Sequence, residues 1–239
     1  MALELRDVHA RYGKSRVLHG VDLTVGESSI VSLIGRNGVG RSTTLRAIVG
    51  FVESDRGSIR LNGQDLLGRR TFEIIQSGIA YVPEERLVFE NLTVEENLLL
   101  GVQPPRSNTP VWSIEEMYGF FPALAERRRA YAGTLSGGEQ QMLTLCRSLL
   151  GNPCVMLIDE PTEGLAPLIV SRLVDIIQEI RNRGVSVLLV EQKMTIALQI
   201  SDRVDIMGHG RVVFSGPPDE LVSNKIIQQR WLEVAESDS

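Results

Sequence analysis

Lysine is nearly missing from this chain of 239 residues: of 25 basic side chains only Lys14, Lys193 and Lys225 are lysine, and the rest are arginine. Those 25 are outweighed by 30 acidic residues, which leaves a formal net charge of −5. A chain of that sign offers no cationic field for releasing counterions from a phosphate backbone, so nucleic acid is not the expected partner. Cysteine is almost as rare. Cys146 and Cys154 lie in apolar stretches with no His or Cys at metal-ligand spacing, which argues against a disulfide scaffold or a thiolate metal site and for reduced thiols in the core of a cytosolic protein. Long hydrophobic runs are missing too. No segment approaches the roughly 20 apolar residues needed to span a bilayer, and the opening MALELRDVHARYG carries charges where a signal peptide needs an apolar stretch. Any membrane role is therefore expected to come through a partner.

What the chain does have is enough apolar residue, 43%, to bury a sizeable core in one large domain. Apolar runs of strand length recur at Leu3–Leu5, Ile30–Ile34, Ile79–Val82, Val155–Ile158, Val185–Val190 and Val204–Met207. Helix-period stretches lie among them at Thr43–Val49, Gly138–Leu150, Leu168–Arg181 and Met194–Ile200. Alternation of this kind predicts an α/β fold with a largely parallel sheet. The beginning differs: Leu3–Val8, Val17–Leu23 and Ile59–Leu61 read as an antiparallel accessory sheet. From Pro83 to Ala132 strand signals stop and prolines punctuate helical pieces, which predicts an inserted helical subdomain. After Pro217-Pro218 the pattern predicts one or two short helices and a frayed, polar ESDS end.

Three segments carry chemistry. After the run Ile30–Ile34 comes GRNGVGRST, residues Gly35, Arg36, Asn37, Gly38, Val39, Gly40, Arg41, Ser42 and Thr43, one residue away from the phosphate-cradling pattern G-x-x-x-x-G-K-[ST]. Its glycines let backbone N–H groups turn inward onto phosphate oxygens, the following helix dipole adds partial positive charge, and the Ser42 hydroxyl is placed to complete Mg²⁺ coordination. The position of the lysine is held by Arg41. Next, Val155–Ile158 delivers Asp159 and Glu160 to the carboxyl end of a strand, the edge where ligands bind in such sheets. Asp159 is placed to reach Mg²⁺, and Glu160 to polarise a water for attack on a γ-phosphate. Between the two lies LSGGEQQ, in which Ser136, Gly137 and Gly138 form a second anion-binding helix start, with Glu139 in its first turn.

On these motifs the chain resembles the ATP-binding-cassette family over essentially its whole length. The resemblance implies a P-loop ATPase of 1–239 as a single domain, with 1–82 and 154–239 forming the nucleotide-binding core and 83–153 the helical and signature subdomain. It matches Tyr12 to the aromatic that stacks on adenine, Glu84 to the residue that links Mg²⁺ to the helical subdomain, and Gln192 to the switch histidine. It also implies two cassettes sandwiching ATP, the phosphate loop of one facing the signature of the other. The partners implied are membrane permease subunits, a second homologous ATPase or a second copy of this chain, and indirectly a substrate-binding protein. The place implied is the cytoplasmic face of the inner membrane.

Finer matches resemble the second ATPase subunit of branched-chain amino acid importers and of related urea and amide importers: YVPE with Glu84, VEQ with Gln192, EGLAP without the usual aspartate, and VFENLTVEENL. Cassettes of DNA repair or translation are disfavoured by the acidic balance and the single motif set. Some positions depart even from that subfamily: Ser28-Ser29 where Gly-Glu is usual, Glu85 and Leu87 where Gly and Arg are usual, and Arg41. Arginine keeps the charge but is longer, planar and forked. The expectation is a site that holds ATP or ADP and turns it over slowly, with the LSGGEQQ of this chain completing the site of its partner.

Overall fold

Strands that read as unbroken apolar runs need cover on both faces, and the computed structural model, which describes residues 2–107 and 109–232, provides it. In chain order the elements are β1 (Leu3–Tyr12), β2 (Ser15–Val25), β3 (Ile30–Gly35), α1 (Arg41–Ile48), β4 (Glu53–Leu61), β5 (Gln64–Asp65), α2 (Thr71–Gln76) and β6 (Ile79–Val82). Then come α3 (Val94–Gly101), α4 (Ile114–Phe120), α5 (Pro122–Glu126), α6 (Gly137–Leu149), β7 (Val155–Asp159), α7 (Pro167–Asn182) and β8 (Ser186–Val190). The last elements among the described residues are α8 (Met194–Ile200), β9 (Arg203–Gly208), β10 (Arg211–Gly216), α9 (Pro218–Ser223) and α10 (Lys225–Trp231).

Among the described residues six strands form the main sheet in the order β10-β9-β3-β8-β7-β6, parallel except for the edge strand β10. Every residue of β3, β7 and β8 is buried. Alternate side chains go to opposite cores, as the two-residue period of a strand requires. Met156 and Ile158 join α3 to α7 on one face, whereas Val155 and Leu157 join α1 and the antiparallel sheet on the other. That second sheet has the order β2-β1-β4-β5.

The accessory strands run further than their apolar positions: β1 reaches Tyr12, β2 spans Ser15–Val25, and β4 starts at Glu53. Ladder hydrogen bonds extend through polar residues whose side chains face solvent, which an apolar pattern does not mark. β10 also escapes that pattern because most of its side chains are only partly covered. From 83 to 132 the described residues form helices and one isolated bridge, Thr93 to Tyr131. Helices α3, α4 and α6 begin with reciprocal capping boxes, Thr93 with Glu96, Ser113 with Glu116, and Ser136 with Glu139. Both cysteines are free thiols, Cys146 buried and Cys154 half-buried. The short helices expected after Pro217-Pro218 are α9 and α10, and the polar ESDS end lies outside the described residues. Among the described residues no helix is long and apolar enough to cross a membrane.

Candidate nucleotide-binding site

The strand order sets the site. Neighbouring strands β3, β8 and β7 present their carboxyl ends side by side, so the segments that follow them, 36–43, 191–193 and 160–163, meet at one edge. The turn out of β3 is possible only with glycine: a Cβ on Gly35 would collide with the Met207 carbonyl, and Gly40 has φ +111 beside Leu18. The helix α1 starts at Arg41, two residues before its apolar period does, because Gly40 ends the turn there. Gly40 offers no capping side chain, so the first-turn N–H groups are free to meet an anion.

Arg41 does not stand open in this loop. It is 4% exposed, and its Nη2 donates to Asn37 Oδ1 at 3.0 Å and to Glu160 Oε1 at 2.7 Å, while Nη1 donates to the Glu191 carbonyl at 3.0 Å. The Ser42 hydroxyl donates to Asp159 Oδ1 at 2.9 Å, and Tyr81 donates to the other oxygen at 3.4 Å. Burial pushes the Asp159 carboxyl above the usual carboxylate range, against the bond from Ser42. Burial raises Glu160 as well, and the nearby Arg41 charge opposes it. The Glu160 backbone is at φ +42, fixed by its N–H to the Val190 carbonyl at 2.9 Å.

A cavity of about 280 Å³ is lined by Asn37, Gly38, Gly40, Arg41, Ser42, Thr43, Glu84 and Glu160. This brings together the phosphate loop, the end of β7 and the segment after β6. Gln192 is exposed and lines an adjacent cavity of about 460 Å³, with Gly35, Arg36 and Asn37. Tyr12, at the end of β1, is 45% exposed and lines neither. Tyr12 and Tyr81 lie close enough to Arg46 of α1 to hold its guanidinium above its ordinary pKa. Ser136, Gly137, Gly138 and Glu139 do not line the cavity of the phosphate loop. Ser136 Oγ accepts from the Glu139 N–H and Glu139 is paired to Arg127 at 3.0 Å.

Three residues that the motifs do not single out hold the loops in place. Glu191, 2% exposed, accepts from the Thr162 hydroxyl and from the N–H groups of Gln192 and Lys193. Arg86 donates to the Glu163 carbonyl at 2.7 Å, and its Nη1 lies so close over Gly137 that a Cβ there would run into it. Asn97 is wholly buried and bonds the 89–93 turn and Arg147. Only its place in VEENL, four residues past the capping Thr93, could have flagged it.

For Mg²⁺ the donor set fits: a hydroxyl and a carboxylate, both hard oxygens, 2.9 Å apart beside a phosphate loop. Among the described residues no group of three or more His, Cys, Asp or Glu forms a metal cluster.

Residues 18–163 match the family model described as ABC transporter. The chain is 40% identical to the high-affinity branched-chain amino acid transport ATP-binding protein BraG of Pseudomonas aeruginosa, covering 96% of this chain and 99% of that one. It is 33% identical to the lipopolysaccharide export system ATP-binding protein LptB of Haemophilus influenzae, covering 92% of each. Among solved structures, a nucleotide-free ATP-binding cassette from an ABC transporter superposes with a TM-score of 0.83 at 25% identity, covering 97% of both chains. With that match, and with the phosphate loop facing the carboxylates at the end of β7, the chain belongs to the ABC transporter family as one of its ATP-hydrolysing subunits.

Proposed function

We propose that this chain drives an importer of branched-chain amino acids. The observation that carries the reading is the 40% identity to BraG over nearly the full length of both chains, higher than to the export-system relative. In this reading the first turn of α1 and the N–H groups of the loop bind the β- and γ-phosphates. Ser42 and Asp159 hold Mg²⁺, which supplies charge neutralisation when bound. Glu160 orients a water and takes its proton as that water attacks, with Glu84 and Gln192 reporting the state of the γ-phosphate and Tyr12 supporting adenine. The signature, Ser136 to Glu139, serves the site of a second ATPase, a homologous subunit or another copy of this chain.

Residues 83–153 act as a helical subdomain that moves against the core 1–82 and 154–239. A groove of about 670 Å³ beside it, lined by Phe72, Ile75, Tyr81, Phe89 and Leu100, receives a cytoplasmic segment of the permease at the inner face of the membrane. An external binding protein supplies the solute. The buried Arg41–Glu160 pair favours a second reading within this one: the Arg41 site is slow, and most turnover occurs at the partner's site, which this chain's signature completes.

The test is ATP-dependent uptake in proteoliposomes holding this chain, its partner ATPase and the permease. Leucine uptake is expected. Uptake of urea or an amide without leucine would overturn the substrate assignment.

A further inference from the structure

The cation of the phosphate loop is bound to Glu160, the carboxylate read as the one that acts in hydrolysis. Arg41 is enclosed on three sides by acceptors from three segments: Asn37 of its own loop, Glu160 after β7 and the carbonyl of Glu191 after β8. Both partners of the ion pair are largely withdrawn from water, 4% and 13% exposed at the side chain, so neither charge is well screened by solvent. We propose that Arg41 and Glu160 form a resting latch, which an incoming phosphate must open by replacing Glu160 on the guanidinium. The proposal rests on the reading of this cavity as the nucleotide site.

The chemistry requires arginine. A lysine ammonium would end near the Arg41 Cζ, and the Nη2 that reaches Glu160 lies a further C–N bond out, about 1.3 Å. The fork also lets one nitrogen keep the Glu191 carbonyl while the other holds Asn37 and Glu160. A phosphate offers the guanidinium an equivalent pair of charged oxygens, so exchange of partners leaves Arg41 compensated while it frees the carboxylate. Because the Glu160 backbone is pinned to Val190, release is a swing of the side chain alone. Nucleotide arrival and availability of the carboxylate are thereby one event, and the apparent affinity for nucleotide is lowered by the fraction of molecules in which the latch is closed.

A double-mutant cycle on the purified chain tests this, with Mg-ADP affinity read by calorimetry for the wild type, Arg41→Lys, Glu160→Gln and the double variant. ADP is the probe because it has no γ-phosphate for Glu160 to act on. Glu160→Gln is expected to tighten ADP binding about tenfold when Arg41 is present, and by less than about twofold in the Arg41→Lys background. Glu160→Asp, which keeps the charge but withdraws it by one methylene, should also tighten binding beside Arg41, and it serves if the glutamine variant does not fold. The same factor in both backgrounds would overturn the latch and leave the nucleotide site standing. No ADP binding by any of the proteins would overturn both.

Discussion

The hydroxyl of Ser42, in the first turn of α1, lies 2.9 Å from Asp159 Oδ1 at the end of β7. A loop and a strand end separated by 117 positions are thus joined by one short polar contact, and both donors are oxygens suited to a hard divalent ion. Replacing Ser42 by Ala removes one donor and leaves the carboxylate. The Mg²⁺-dependent part of ATP binding should weaken by at least about tenfold, measured by titrating ATP with and without Mg²⁺. Equal affinities for the wild type and the variant would count against the assignment.

Asp159→Asn should raise the melting temperature of the nucleotide-free chain while abolishing its response to Mg²⁺. The sign follows from the burial of Asp159, which raises its pKa in the folded state. A carboxyl with a raised native pKa binds its proton more tightly when folded, so stability falls as pH climbs from the ordinary aspartate range through the raised value. At pH 7 the ionised group therefore costs stability, and asparagine removes that cost. A gain on the order of 1 kcal/mol, or about 2–4 °C for a chain of this size, is expected. The difference between the two proteins should shrink as pH is lowered into the acid range.

Arg86 joins the segment after β6 to the signature and to the loop after β7, through Gly137 and the Glu163 carbonyl. It does not line the phosphate-loop cavity. Arg86→Ala should leave ATP affinity of the isolated chain within about twofold and lower turnover of the assembled complex by about tenfold, since the signature would lose its fixed position. Loss of affinity in the isolated chain would show instead that Arg86 supports its own site.

Asn97 donates to the carbonyls of Phe89, Leu92 and Thr93 and accepts from the Phe89 N–H and Arg147. Asn97→Asp retains the shape but cannot donate, and it sets a carboxylate against three carbonyls. Destabilisation of about 2–4 kcal/mol is expected from buried polar groups left without partners, read by chemical denaturation. A variant as stable as the wild type would show that the turn can reorganise around the change.

Much of the fold is legible in short stretches because the constraints there are local. The unbroken apolar runs of β3, β7 and β8 announce a sheet covered on both sides, and the glycines of GRNGVGRST announce a turn whose backbone no other residue tolerates. The missed strand β10 and the extended β1, β2 and β4 are held by ladder bonds that do not depend on side-chain polarity. The capping boxes at Thr93 and Ser113 are equally open to reading, since each is a Ser or Thr three residues before a Glu.

Read without its fold, the chain already declares a phosphate loop, a strand ending in two carboxylates and a signature helix. Each is specified within fewer than ten residues by backbone geometry and side-chain chemistry. What Arg41 touches is a matter of tertiary packing. Its partners Glu160 and Glu191 lie 119 and 150 positions away, and they reach it because the sheet sets β8 beside β3 and β7 beside β8. The spacing of residues along the chain carries no record of that order. It is the packing of three buried strands that turns a single arginine from a replacement for lysine into the partner of the Glu160 carboxylate.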